Sequence, residues 1–539
     1  MQLSSRLRRV STGAVRNSLI VMGGFVLSRI TGLARDIVAT YFFGTSAAAA
    51  AYRAAFSIVD LLYLIIIGGA LGSSFIPVFI EVWERDGQAR AWRLASAVLT
   101  WSLLALAAAS AAVFVAAPRV VVLLYGGRGF DTATIDLTVA LARLFLLSPL
   151  LLGLGGLAMA TLNAREHFAM PALAQSVYNL GIMLGAALGG VLGLGIWGMA
   201  WGVVTGALLY LLVQLPPLWG MGMRLRLTLG RGMEEIGRIA RQMAPRVIGQ
   251  AAAYLSIVVT LALAARLPSG DAKVAGLGYA YQLMLLPYGI FSLSLSQVAF
   301  PRLARLVAEG RYTDLAADVR RTLVTILWLT LPATAGLLAL GFPVARALFE
   351  RGAFDARSLE YTVQALAGYA LALPAFAASE ILIRAFFAMQ RTWTPVLVGV
   401  FQVALNLSLG AGLLRAGGDV GDLALAFSIA NTLEALLLFA LSGTALPGIW
   451  RERRLWWSLG ASLIGALVLG AAFSGLTEAS RDLVPALSVG HTYQWTRDLP
   501  ALVFWLVGIG SAGALLYLLV TLALGVTPAR ALAARLRRG

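Results

Sequence analysis

The chain has no cysteine, and its two histidines, His167 and His491, lie far apart. Disulfides and thiolate chemistry are thereby excluded, and no spacing suited to a zinc site exists. The histidines form no nucleophile–base–orienter pattern, and no paired carboxylates mark a hydrolytic site. No G-x-x-x-x-G-K-[ST] occurs, and the glycine-rich tracts lack the strand-to-helix setting of a dinucleotide fingerprint. Charge is also scarce: 12% of the 539 residues are Asp, Glu, Lys or Arg, against 60% hydrophobic. A soluble chain of this length would carry a far more charged surface. The apolar residues form continuous runs, such as LLALAAASAAVFVAA and LALAFSIANTLEALLLFAL. Runs of this kind fit spans about 20 residues long in lipid, and not the short alternating strands of an outer-membrane barrel.

What is present predicts an all-α polytopic membrane protein with about fourteen transmembrane helices. They run from 16–41 and 50–80, through 238–266 and 274–303, to 455–476 and 500–525. The N-terminus resembles a signal peptide, but no small-residue cleavage site closes a short apolar segment, so it reads as a retained first span. The formal net charge is +17. A basic balance can mean nucleic acid, but these arginines cluster in short connections. Arg6, Arg8, Arg9 and Arg16 precede the first span, Arg85, Arg90 and Arg93 follow the second, and Arg224, Arg226, Arg231, Arg238 and Arg241 surround the start of the seventh. Further clusters follow the eighth and twelfth spans and end the chain. With fourteen spans all fall on one side, which the positive-inside rule makes cytoplasmic, with both termini inside. Asp271, Asp419, Asp422, Glu478 and Asp482 lie opposite. Attraction of the basic clusters to anionic headgroups is expected on the same basis.

The two halves share landmarks at a spacing of 224: Pro77 with Pro301, Phe130-Asp131 with Phe354-Asp355, and Pro171 with Pro395. The expected organisation is an N-terminal six-helix repeat over 1–217, a basic cytoplasmic connection over 218–237, and a second six-helix repeat over 238–445. The final two helices and a basic tail occupy 446–539. An even number of spans per repeat makes the two parallel, an arrangement suited to alternating access. The last two helices either support a lipid-facing groove or pack on the second half. Gly23, Gly24, Gly32, Gly68, Gly69 and Gly72 suit close helix contact.

Charges inside apolar spans are costly and mark functional or paired positions. SRITGLARD places Arg29, Arg35 and Asp36 in the first span. Arginine matches anionic phosphate oxygens with its planar fork. These residues, with Arg53, are candidate substrate contacts; a structural salt bridge or gate is the other reading for Arg35 and Asp36, and snorkelling to the surface for Arg53. Asp60, seven residues beyond Arg53, shares its helix face and is a candidate for charge balance or cation coupling. Glu380 and Arg384, spaced i,i+4, form a candidate structural or gating pair. Arg143, Arg246 and Glu434 are weaker candidates, and Asn163, Asn179, Asn406 and Asn431 are amides suited to joining helices or lining a passage. No ATPase site, metal or organic cofactor is evident, so an ion gradient or the membrane potential is the expected energy source.

SRITGLARD, GALGSSFIPVF, YQLMLLPYGIFSLSLSQVAFPRL, LFERGAFD and RAFFAMQRTWTPV occur in this order. Together they make the chain similar to the MurJ/MviN family of bacterial lipid II flippases, within the multidrug/oligosaccharidyl-lipid/polysaccharide exporter superfamily, over most of residues 14–525. The resemblance implies fourteen helices, a central cavity opening alternately to either side, and a lipid-binding groove on the last two helices. It further implies a bacterial inner-membrane transporter that moves an undecaprenyl-pyrophosphate-linked peptidoglycan precursor between leaflets, among membrane lipids and envelope-synthesis proteins. It lends substrate-contact roles to Arg29, Arg35 and Asp36. The chain departs from the family pattern at Ala50, at Tyr63 or Leu64, and at Gly68, where charged residues are usual. Tyr281-Gln282 stands where an Asp-Arg pair is usual. Flipping of another polyprenyl-linked glycan, export of small amphipathic solutes, and a non-transporting scaffold for envelope assembly remain as alternatives.

Overall fold

The computed structural model describes residues 23–24, 26–66 and 70–536. Gly68 and Gly69 and the terminal arginines up to Arg16 and from Arg537 lie outside the described residues, as does the side chain of Arg246. Among the described residues the secondary structure is helical apart from a single isolated bridge, Gly127 to Phe130. Among the described residues twelve helices are long and apolar enough to cross a membrane. The chain is therefore a multi-pass, all-α membrane protein. Two expected spans are not among the twelve. The first, here α1 (23–24 and 26–43), carries Arg29, Arg35 and Asp36. The seventh, α10 (Glu234–Ala264), carries Glu234, Glu235, Arg238 and Arg241 in its first half, and among the described residues its apolar stretch is Tyr254–Ala264.

The chain divides into two compact units, the first ending at Leu255 and the second beginning at Ser256, so that the division falls inside α10. The first unit contains α1, α2 (Ala47–Ile66), α3 (Ala70–Asp86), α4 (Gln88–Tyr125), α5 (Thr132–Phe145), α6 (Leu147–Ala164), α7 (Ala169–Val191), α8 (Ile196–Leu212) and the short α9 (Leu215–Gly220). Its core gathers Phe75, Phe79, Trp92, Leu106 and Leu162 from α3, α4 and α6. On α4 the exposed apolar side chains begin at Trp101 and end at Leu123. At 1.5 Å per residue that stretch spans about 33 Å, the thickness of a bilayer core. The first turns of α4, with Arg90 and Arg93, extend beyond it.

α7 and α8 meet along a glycine ladder. Gly181, Gly185 and Gly189 recur every fourth residue on α7, and Gly206, Gly202 and Gly198 face them in antiparallel order. A Cβ on Gly181 would lie 2.5 Å from Gly206 Cα, one on Gly185 2.5 Å from Gly198 O, and one on Gly198 2.4 Å from Gly189 Cα. Backbone-to-backbone approach of this kind leaves no room for any side chain, and dispersion and weak Cα–H contacts supply the adhesion that lipid cannot. Gly24 makes a similar approach to Ala172, whereas Gly23 meets nothing within 4 Å.

The second unit contains α11 (Gly270–Pro287), a π-helical turn (Tyr288–Leu293), α12 (Ser294–Ala308), α13 (Tyr312–Phe349), α14 (Ala356–Ala388), α15 (Trp393–Arg415), α16 (Val420–Ala445), α17 (Arg453–Ala479), α18 (Trp495–Ala523) and α19 (Thr527–Leu536). Several boundaries repeat the sequence spacing of 224. The bounds of α4 recur in α13, those of α7 in α15, and the span 132–164 in α14. Asp131 and Asp355 both cap their helices, each accepting at 2.8 Å from the backbone N–H three residues on. The side-chain hydrogen bond from Thr134 holds the Asp131 carboxyl below the usual carboxylate range.

α17 and α18 pack on α13, through Trp328, Ala461, Leu469, Phe473 and Tyr517. Trp328 donates to Thr521 Oγ1 at 3.2 Å, and Tyr517 donates to the Trp328 carbonyl at 2.8 Å. At the far end of α13, Arg346 is 1% exposed. It donates to Glu350 at 2.5 Å and to the carbonyls of Ala486 and Ser488 at 2.7 and 2.8 Å. One arginine thereby fastens the loop between the last two long helices to the helix they pack against.

Candidate functional site

The first unit builds a charged centre from α1 and α7. The Arg35 guanidinium donates to Asp36 Oδ1 from Nε at 3.0 Å and from Nη2 at 2.8 Å. Its Nη1 donates to Asn179 Oδ1 at 3.1 Å. The Asn179 amide is itself oriented, since its Nδ2 donates to the Ser28 carbonyl at 3.1 Å and to Thr31 Oγ1 at 3.3 Å. Gly32 faces the same amide, and a Cβ there would meet Asn179 Nδ2 at 3.5 Å, an ordinary contact. The side chains of Arg35 and Asp36 are 17% and 10% exposed. A pair so sheltered gives up most of its hydration and persists when further hydrogen bonds satisfy it, as the asparagine does here. A guanidinium has five N–H donors. Three are engaged here, and two remain uncommitted among the described residues. Tyr52 of α2 and Tyr178 of α7 are within electrostatic reach of the same group.

Arg29 is half-buried on α1, one and two-thirds turns before Arg35, and faces a different direction. Arg53 and Asp60 are likewise half-buried on α2. Asp60 has a side-chain hydrogen bond with Tyr254 of α10. The α2 stretch around Arg53 is otherwise tightly packed, with Ala50, Ala51, Ala54 and Ala55 fully buried.

In the second unit Glu380 and Arg384 pair across one turn of α14: Nε donates to Oε1 at 2.8 Å and Nη2 lies 2.6 Å from it. The other carboxylate oxygen accepts from Tyr288 Oη at 2.9 Å. Tyr288 opens the π-helical turn, whose Ser292 donates to the Ala377 carbonyl on α14 at 2.8 Å. The wider turn lets the helix from Gly270 to Ala308 present both groups to α14; such turns mark sites where a helix is re-aimed. The PYG within YQLMLLPYGIF was the visible signal for it. Where an Asp-Arg pair is usual in the family, Tyr281 packs edge-on against Tyr369 and Phe427, with ring centroids 5.6 and 6.2 Å away. Asn406 and Gln402, on α15, bond to Ser256 and Thr260 and join helices. Asn431 bonds within its own helix, to the Phe427 carbonyl. Among the described residues no cluster of His, Cys, Asp and Glu has the makings of a metal site.

Comparison with known proteins agrees with this architecture. The family model described as lipid II flippase MurJ matches residues 38–487. The chain is 28% identical over 458 residues to the lipid II flippase MurJ of Burkholderia cenocepacia, covering 84% of this chain and 88% of that protein. It is 26% identical over 544 residues to a probable lipid II flippase MurJ of Vibrio cholerae, covering 96% and 97%. Among solved structures, lipid II flippase MurJ in an inward closed conformation superposes with a TM-score of 0.74 at 22% identity, covering 93% of this chain and 98% of that one. A multidrug-resistance MATE transporter of the MOP superfamily, inward-facing, gives 0.64 at 14% identity, over 81% and 99%. The fold is that of a transporter, and the chain belongs to the lipid II flippase MurJ family.

Proposed function

We propose that this chain flips lipid II, a polyprenyl-pyrophosphate-linked peptidoglycan precursor, across the bacterial cytoplasmic membrane by alternating access. The observation that carries the reading is the Arg35 centre: in a member of this family, a sheltered guanidinium is pre-oriented by Asp36 and Asn179 and, among the described residues, keeps two N–H donors uncommitted. A pyrophosphate offers oxygens for those donors at geometry the planar fork matches. Asp36 holds the arginine when no substrate is bound, so the charge is never left bare in the bundle. Arg29 and Arg53 supply further positive charge to the headgroup. Asp60, and the Glu380–Arg384 pair with Tyr288, act as polar latches whose rearrangement accompanies opening to one side or the other. The membrane potential or an ion gradient biases that equilibrium.

The same reading has the chain as two six-helix repeats, 1–217 and 238–445, joined by a basic connection at 218–237 and followed by two more helices. The recurrence of helix bounds at 224 residues supports it, as do the matching Asp131 and Asp355 caps. Both termini face the cytoplasm, on the basic side. The test is genetic replacement. In a bacterium depleted of its own lipid II flippase, expression of this chain restores growth and rod shape, while a scaffold or small-solute exporter does not. Failure to restore them, with the chain correctly inserted and abundant, would contradict the assignment. Another polyprenyl-linked glycan would then be the next substrate to try.

A further inference from the structure

The first unit holds a second basic site, distant in sequence from the Arg35 centre. After α9 the chain runs extended beside α4. Arg226 N–H donates to Ser96 Oγ at 3.1 Å, Thr228 N–H to Thr100 Oγ1 at 3.1 Å, and Trp101 Nε1 to the Leu229 carbonyl at 3.2 Å. The register is natural, because two extended residues advance about as far as four helical ones. The segment then turns back through Gly230, Arg231 and Gly232 into α10. Gly230 has φ 62° and approaches so closely that a Cβ would lie 2.6 Å from the Ala97 Cβ. Gly232 has φ 82° and open space above it.

A cavity of about 520 Å³ lies at this turn, lined by Arg90, Arg93, Thr228, Gly230, Arg231 and Gly232 among others. Two carboxylates stand behind it. Glu235 is 3.1 Å from Arg90 and 3.5 Å from Arg85, and Asp86 is 2.9 Å from Arg85. The Arg85 hydrogen bond holds the Asp86 carboxyl below its usual range, so it stays ionised and keeps Arg85 engaged. Arg93 and Arg231 are not compensated: among the described residues neither guanidinium has an ion pair or hydrogen bond. The backbone N–H groups of Arg231 and Gly232 likewise donate to no backbone or side-chain acceptor there. Two uncommitted guanidinium forks and two uncommitted amides at one cavity form a concavity for an anion.

We propose that this cavity binds a phosphate group, supplied in the membrane by the headgroup of an anionic lipid. Depth argues for the lipid as source. Arg93 precedes Trp101, where the lipid-facing apolar surface of α4 begins, by about 12 Å of helix rise. That is headgroup depth, and tryptophan is the usual marker of the boundary. Leu227, 81% exposed on the same segment, offers apolar contact to the adjoining chains. The site does not depend on which substrate the protein carries.

The test counts lipids retained by the purified full chain in neutral detergent, by native mass spectrometry, during titration with phosphatidylglycerol or phosphatidylcholine. The expected result is one saturable phosphatidylglycerol site with no phosphatidylcholine counterpart. R93Q/R231Q weakens it by about tenfold or more, while R453Q/R454Q, which removes two exposed charges from α17, leaves it unchanged. A parallel arm titrates inorganic phosphate by equilibrium dialysis. Saturable phosphate binding that R93Q/R231Q abolishes, without lipid retention, would assign the same site to a soluble anion. Equal losses in the two double variants, or retention of neither lipid nor phosphate, would overturn the proposal. Among the described residues neither Arg93 nor Arg231 makes an ion pair or hydrogen bond, so both double variants are expected to fold, and matched thermal midpoints check that they do.

Discussion

At the scale of single residues, two arginines in this molecule do opposite work. Arg346, 1% exposed, uses Nε on Glu350 and Nη1 on two loop carbonyls, and its role is to hold a loop. Arg35 is oriented but not exhausted, which is what a binding group requires. Replacing Arg346 by Met leaves a carboxylate and two carbonyls without their donor, and is expected to destabilise the fold by about 3 kcal/mol. Thermal unfolding in detergent would read this as a clear fall in midpoint, and an unchanged midpoint would show the contacts to be dispensable. N179A keeps the Arg35–Asp36 pair but removes the acceptor that aims Nη1. Its expected effect is about a tenfold loss of flipping rate, the equivalent of one oriented hydrogen bond, with little change in thermal midpoint. Equal loss of both would make Asn179 structural only. Arg35 and Asp36 were legible as charges in an apolar run. Their partner was not, because Asn179 stands 144 positions after Arg35 and meets it only through the packing of α7 on α1. Arg346 gave no signal at all, since an R-x-x-x-E at a helix end reads equally well as an exposed pair.

At the scale of elements, hydropathy placed twelve of fourteen expected spans where long apolar helices stand. The other two, α1 and α10, fall partly on residues outside those described, and the described part of α1 carries the charges of the candidate site. The glycine ladder was written in the sequence as G-x-x-x-G-x-x-x-G on both α7 and α8, but only the antiparallel pairing of 181 with 206, 185 with 202 and 189 with 198 gives it meaning. G202V forces a branched side chain against the α7 backbone. It should cost several kcal/mol, beyond the usual 1–3 kcal/mol or so for overpacking, because backbone cannot move aside as a side chain can. G508V on α18, where nothing lies within 4 Å, is the matched control and should fold normally. Comparable folded yields for the two variants, by size-exclusion chromatography in detergent, would refute the ladder. The π-helical turn at Tyr288 was hidden for a different reason. A one-residue insertion in helical register leaves no mark on an apolar pattern, and only the proline and glycine flanking Tyr288 hint at it.

At the scale of the whole molecule, orientation was read from charge and function from a few buried groups in a large apolar scaffold. The natural absence of cysteine makes orientation directly measurable. In intact spheroplasts a membrane-impermeant maleimide should label D482C and not A89C, with both labelled after permeabilisation; the reverse pattern would invert the topology. The central claim, that the Arg35 centre carries the pyrophosphate of a flipped lipid, meets its most direct test in proteoliposomes holding fluorescent lipid II. The wild-type chain should move the label between leaflets, and R35Q, with its thermal midpoint and reconstituted amount matched to wild type, should lose at least about a hundredfold in rate, as expected for removing a charge-assisted pair of hydrogen bonds. Flipping by R35Q at the wild-type rate would remove Arg35 from the transport path and with it the account of how this fold recognises its substrate.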